Sequence, residues 1–344
     1  MNRTIVKGCP SKMGDDVQLN TTTMIRHAAR THGDQQIVYR TPDGGWDRYT
    51  YADCYQRVCR AANALRKLGV GPGDRVGILD WNNRRHFELY WAIPGLAAVM
   101  LQMNLRLGPE DLGYVVQHSN ASFIAVDESL LPVAESIASF AGGVKGWIVL
   151  TDKPISQIKT KLSPLYHYED LLAAAEPSID WAVIDERAAY SACYTTGTTG
   201  RPKGVYYSHR AIYLHSMTMA TALGMTLDDC TMLITPMFHG QCWGLPQAAT
   251  LMCNKIVLPG RRMDLFDRHG ECDHVASLGR RGRGDRRAPS EMAGAPGRDR
   301  QCQAGSGVDR RSHPRASGTV ICQMAVARGR DPHEERRTHQ RRQS

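Results

Sequence analysis

The sequence predicts an α/β fold with substantially parallel sheets, and two observations predict it. Strand-length apolar runs at residues 75–79, 122–126 and 147–150 alternate with longer segments whose apolar residues recur every three to four positions. The hydrophobic share of 42% in 344 residues is enough to bury a sizeable core.

The elements follow in order. Thr50 followed by Asp53 forms a variant of the capping box. It opens a helix over 51–68, where Val58, Ala61, Ala62, Leu65 and Leu68 share a face and Gly69 ends it. A strand at 75–79 leads to a helix at about 86–98, bent or interrupted at Pro94-Gly95, and on to Val99-Met-Leu. Pro109 suits the first turn of a helix ending near Ser119. A strand at 122–126, a helix at 130–140 and a strand at 147–150 follow, then a loop over 152–164. The last strands fall at 189–194, 230–235 and 254–259, with a helix over 209–222 between the first two.

Composition narrows the function classes. The longest apolar run, 91–103, is broken by Pro94, Gly95 and Gln102, and is shorter than the roughly 18–20 residues a bilayer span needs. Residues 1–16 lack an apolar h-region, and the ten cysteines show neither C-x-x-C pairs nor regular spacing with histidines. These features favour a cytoplasmic protein with reduced thiols and no zinc site. The net charge of +9 is not evenly spread. Residues 268–344 hold seventeen arginines, no lysine and nine acidic residues, a surplus of eight. That segment has no aromatic residue and only eight Leu, Ile, Val or Met, so it is expected to be non-globular. A basic arm on nucleic acid or anionic surfaces, which would make the chain a non-catalytic binding protein, and a solvated linker are two readings of it. Loss of the reading frame near Phe266 is the favoured third, since GC-rich coding DNA read out of frame yields mostly Arg, Gly, Ala and Pro. No aromatics interleave the arginines, so no nucleic-acid partner is expected.

The most informative run is Tyr194-Thr-Thr-Gly-Thr-Thr-Gly-Arg-Pro-Lys-Gly-Val205. Gly197, Gly200 and Gly204 allow close backbone approach, Thr195, Thr196, Thr198 and Thr199 add hydroxyls, and Lys203 brings a positive charge. A loop of this composition suits a polyphosphate. It is not the P-loop of nucleotide hydrolases, because Lys203 is followed by Gly204 rather than Ser or Thr.

This run resembles the phosphate-loop signature of the adenylate-forming enzymes, which include acyl-CoA synthetases, peptide-synthetase adenylation domains and luciferases. Gly69-Val-Gly-Pro-Gly-Asp-Arg-Val-Gly-Ile-Leu79 and Asn104-Leu-Arg-Leu-Gly-Pro-Glu-Asp-Leu112 are similar to earlier segments of that family. Pro236-Met-Phe-His-Gly-Gln-Cys-Trp-Gly-Leu-Pro246 resembles its P-x-F-H motif in the form of the fatty-acid branch. The likeness covers residues 20–262. It implies a large N-terminal domain of two α/β subdomains and a distorted β-barrel, followed by a small C-terminal domain. On that basis residues 1–19 are an extension, 20–266 a partial AMP-binding domain, and 267–344 a tail.

The resemblance also implies chemistry. A fatty acid would react with ATP to an acyl-adenylate and pyrophosphate, and the thiol of coenzyme A would then displace AMP. Thr195, Thr196, Gly197, Thr198, Thr199, Gly200 and Lys203 would hold the β- and γ-phosphates with Mg²⁺ as partner, Thr199 being the first hydroxyl to test. His239 would stand beside the substrate carboxylate. Trp243 would wall or gate an acyl tunnel, with core packing an equal alternative. His209 and His215 are expected to be structural, and Lys255 to end a strand. Aryl and short-chain acids are the rival substrates, and peripheral membrane association stays open. The family's Tyr-Gly-x-Thr-Glu and Thr-Gly-Asp motifs, its Gly-Arg hinge and its late lysine are not found among the 344 residues. The polypeptide as written is therefore expected to lack turnover.

Overall fold

A computed structural model describes residues 8–9, 17–195 and 200–261. Most of 1–19 and all of the 267–344 tail lie outside the described residues, so the expectations for them are not addressed by the fold.

Eight helices and eleven strands are described. They run α1 (Thr22–Thr31), β1 (Gln36–Arg40), β2 (Trp46–Thr50), α2 (Tyr51–Lys67), β3 (Arg75–Leu79), α3 (Arg84–Ala92), β4 (Val99–Gln102), α4 (Pro109–Ser119), β5 (Ala121–Asp127) and α5 (Leu131–Ile137). Then come β6 (Gly146–Leu150), β7 (Leu165–His167), α6 (Tyr168–Ala173), β8 (Ala189–Thr195), β9 (Lys203–Ser208), α7 (His209–Ala222), β10 (Cys230–Met232), α8 (Leu245–Leu251) and β11 (Lys255–Leu258).

The α/β expectation is met. Seven strands form one sheet in the order β7-β6-β5-β3-β4-β8-β9, parallel throughout except for β9, which pairs antiparallel to β8. Leu79, Leu101, Ile124, Val126 and Val149 face α4 and α5, packing on Leu112, Val116, Ala134 and Ile137. The alternate residues Ile78, Met100, Ala125 and Ile148 are buried too, so the sheet is covered on both faces, as parallel sheets require. A second, four-stranded sheet has the order β10-β11-β1-β2.

Local chemistry explains the helix ends. Thr50 and Asp53 make the full reciprocal capping box at α2. Gly69, at φ +89°, closes that helix, with the Val70 amide returning to Leu65 O (3.0 Å). Pro109 begins α4 after Gly108, and Ser208 caps α7 by accepting from the Ala211 amide.

Several expected boundaries are corrected. The helix placed at 86–98 starts at Arg84, because Asn83 accepts from the Arg85 and His86 amides. Of the two readings at Pro94-Gly95, interruption holds: the helix stops at Ala92, and Pro94, which supplies no N–H, opens a 3₁₀ turn, Pro94–Leu96. The 130–140 helix is α-helical only over α5, with 3₁₀ turns at Glu128–Leu130 and Ala138–Phe140 on either side. The 230–235 strand ends at Met232, because the carbonyls of Leu233 and Thr235 are taken by the Asn82 side chain. Lys255 opens β11 rather than ending a strand. The first sheet strands, β1 and β2, together with α1, β7, α6, β9 and α8, were not anticipated.

Candidate functional site

Strands β3, β4 and β8 run parallel, so their C-terminal ends lie on one edge of the sheet, where open α/β sheets bind ligands. Asp80 follows β3, Gln102 ends β4 and Thr195 ends β8.

Thr195 pairs with Lys203 across the β8–β9 hairpin, at the C-terminal end of β8. Thr196, Gly197, Thr198 and Thr199 lie outside the described residues. Thr195, Gly200 and Lys203, which frame them, are exposed, and Gly200 adopts φ +149°. Aromatic packing anchors the hairpin. A Cβ on Gly204 would meet the Tyr194 ring at 3.0 Å, so glycine lets β9 pass closely over that ring. The Tyr194 hydroxyl pairs with His118 Nδ1 (2.9 Å), and Arg201 sits 5.1 Å over the Tyr114 ring.

His239 lies at the surface beside Asn104. The Asn104 Oδ1 accepts from the Arg106 amide (3.0 Å), which turns its Nδ2 toward His239 Nδ1 (3.3 Å). Nδ1 is then the acceptor, and Nε2 carries the proton that a carboxylate oxygen could accept. Partial burial, and then the Arg106 guanidinium, hold the His239 pKa below its usual value, so the ring is neutral at pH 7.

The residues after His239 form an unusual turn. Gly240, Gln241, Cys242, Trp243 and Gly244 all have φ between +51° and +75°. For three non-glycine residues this costs about 1–2 kcal/mol each. Side chains offset the strain: Gln102 Oε1 accepts from the Gln241 amide (3.1 Å), Gln241 Nε2 donates to Ser191 Oγ on β8, and His215 Nε2 donates to Trp243 O (2.9 Å). The turn swings Trp243 outward to 52% exposure, which removes the core-packing alternative for that residue.

Trp243 borders a pocket of about 440 Å³. Tyr207 of β9, Ala211, Ile212, His215 and Met219 of α7, and the Gly240–Gly244 turn line it. His209 and His215 thus part company. His209 is buried, bonded to Thr21 Oγ1 (3.0 Å), and structural as expected. His215 lies in the pocket wall, a role sequence reasoning missed. The signal was present in the spacing of 211, 212, 215 and 219 along one face of α7.

A family model described as AMP-binding enzyme matches residues 25–272. The chain belongs to this family. Among curated relatives, it is 40% identical over 269 residues to a long-chain-fatty-acid–CoA ligase of Thermus thermophilus, covering 76% of this chain and 48% of that ligase. It is 37% identical over 252 residues to a 3-methylmercaptopropionyl-CoA ligase of Ruegeria lacuscaerulensis, covering 73% and 46%. The chain spans about half the length of the curated relatives it matches. Its fold is that of an anthranilate–CoA ligase solved with anthranoyl-AMP, at TM-score 0.63 and 22% identity over 71% of this chain and 46% of that one.

As a member of this AMP-binding family, the chain is related to enzymes that use ATP and coenzyme A. The donors at the hairpin are hydroxyls and a lysine, without a carboxylate. Among the described residues no group of three His, Cys, Asp or Glu side chains could hold a metal ion. No described helix is long and apolar enough to cross a membrane.

Proposed function

We propose that residues 20–266 are the ATP-phosphate- and acid-binding part of an AMP-forming acid–thiol ligase whose acid is a fatty acid. In that reaction a carboxylate oxygen attacks the α-phosphorus of ATP and pyrophosphate leaves. The coenzyme A sulfur then attacks the acyl carbon and AMP leaves. The Thr195–Gly200 segment and Lys203 hold the β- and γ-phosphates, concentrating positive charge where the leaving pyrophosphate gathers negative charge. His239 Nε2–H orients the carboxylate, and the alkyl chain enters the pocket rimmed by Trp243.

The observation that carries this reading is the pocket itself. One cavity touches both β9, which continues from the phosphate hairpin, and the turn that follows His239. The test is displacement of a fluorescent polyene fatty acid by unlabelled acids. Affinity should climb with chain length, by up to about 0.8 kcal/mol per buried CH₂. Stronger displacement by benzoate or acetate than by octanoate would assign the pocket to aryl or short-chain acids instead. The 344-residue polypeptide assayed alone should bind without turnover, because the family's magnesium glutamate, ribose aspartate and late lysine are not in it. ATP–pyrophosphate exchange above background would overturn that expectation.

A further inference from the structure

We propose that Asn82 and Gln102 are positioning residues for the acid-binding end of the site, fixing the His239 ring by holding the backbone on both sides of it. The proposal rests on the reading of His239 as the carboxylate contact.

Asn82 is fully buried just beyond the end of β3. Its Nδ2 donates to Leu233 O (2.6 Å) and Thr235 O (2.8 Å), and its Oδ1 accepts from the Met237 amide (2.7 Å). Both protons and the oxygen of its side chain are thus spent on one five-residue stretch leading to His239. Met237 O accepts from the Tyr90 hydroxyl (2.7 Å), and Gln102 Nε2 donates to that same hydroxyl oxygen. Gln102 Oε1 then accepts from the Gln241 amide (3.1 Å). His239 stands two residues from Met237 and two from Gln241, so the chain is clamped symmetrically about it. The clamp comes from the ends of adjacent parallel strands, β3 and β4.

A purely structural role accounts for the burial but not for the destination of these bonds, which converge on residues 233–241. Neither amide lines the pocket, so neither can touch an acid there. A buried hydrogen-bonded network of this kind enforces one arrangement, because a shift leaves a polar group unpaired.

The test uses the whole 344-residue chain and two readouts, the affinity for the fluorescent polyene fatty acid and the affinity for ATP. Asn82→Asp replaces a donor facing two carbonyls with an acceptor, and Gln102→Leu removes the second clamp. Each should weaken acid binding by about tenfold or more, a change of ~1.4 kcal/mol, while ATP affinity stays within about twofold. In a His239→Ala background the same substitutions should change acid affinity less than about twofold, because they act through that ring. Parallel loss of acid and ATP affinity, or an undiminished effect without His239, would overturn the proposal. If Asn82→Asp does not fold, Gln102→Leu carries the test. A parent chain that binds no fatty acid removes the functional reading and the positioning role with it. A parent that binds, with variants that match it, removes only the positioning role.

Discussion

At the scale of single residues, Gly244 is a tight constraint in the pocket bordered by Trp243. It sits at φ +75°, and a Cβ there would lie 2.5 Å from His215 Cδ2. Gly244→Ala therefore faces both backbone strain and a clash with the ring that donates to Trp243 O. It should cost about 2–3 kcal/mol in chemical denaturation and weaken fatty-acid binding, with ATP binding spared. His209 makes a different demand. Burial lowers its pKa from 6.5 to about 4, so the folded chain resists a proton that the unfolded chain accepts. Stability contributed by the neutral ring is complete above pH 6.5 and is lost as pH falls toward 4. The window spans about 3 kcal/mol at most. His209→Phe keeps a ring beside Tyr190 but cannot titrate. Its denaturation midpoint should therefore depend less steeply on pH between 4 and 6.5 than that of the parent. An unchanged slope would show that His209 titrates normally in the fold.

At the scale of elements, legibility followed locality. The α2 helix could be read from Thr50, Asp53, its apolar stripe and Gly69, because every signal lies within or next to the helix. The strand before the Gly/Thr run was readable over 189–194 for the same reason, whereas β9, which carries Lys203 back along it, was not. The β1–β2 strands were not legible. Gln36–Arg40 and Trp46–Thr50 carry charged and polar residues, and β1 is completed by β11 some 220 residues later. The role of Asn82 was hidden for the same reason, since its partners lie about 150 residues away. The left-handed turn at Gln241–Trp243 was invisible too, as two non-glycine neighbours of a tryptophan give no hint of positive φ.

The elements are also tied by a buried ion network. Arg57 of α2 makes a two-pronged contact with Glu88 of α3 (2.7 and 3.1 Å) and reaches Glu169 of α6 (3.0 Å). The Tyr168 hydroxyl donates to Glu88 as well (2.9 Å). The Glu88 side chain is 0% exposed, so removing its cation strands a charge in the core. Arg57→Met should destabilise by about 3–5 kcal/mol in urea, whereas Arg57→Met with Glu88→Met should recover most of the loss. Additive losses in the double variant would mean that the contact is packing rather than charge pairing.

At the scale of the whole molecule, the proposed function places a phosphate site and an acid site in the same chain, and folding should report on both. A ligand that binds only the folded chain stabilises it by about 2.7 kcal/mol at a hundredfold excess over its dissociation constant. ATP and a fatty acid should therefore each raise the thermal midpoint of the 344-residue chain. The two effects should separate by residue. Lys203 begins β9 at the hairpin and does not line the apolar pocket, while Trp243 borders the pocket and is not part of the hairpin. Lys203→Ala should abolish most of the ATP shift and keep the fatty-acid shift, and Trp243→Ala should do the reverse. The ligand-free midpoints should stay close to that of the parent, because both side chains are exposed. Loss of both shifts in either variant would mean that phosphate and acid do not occupy separate sites.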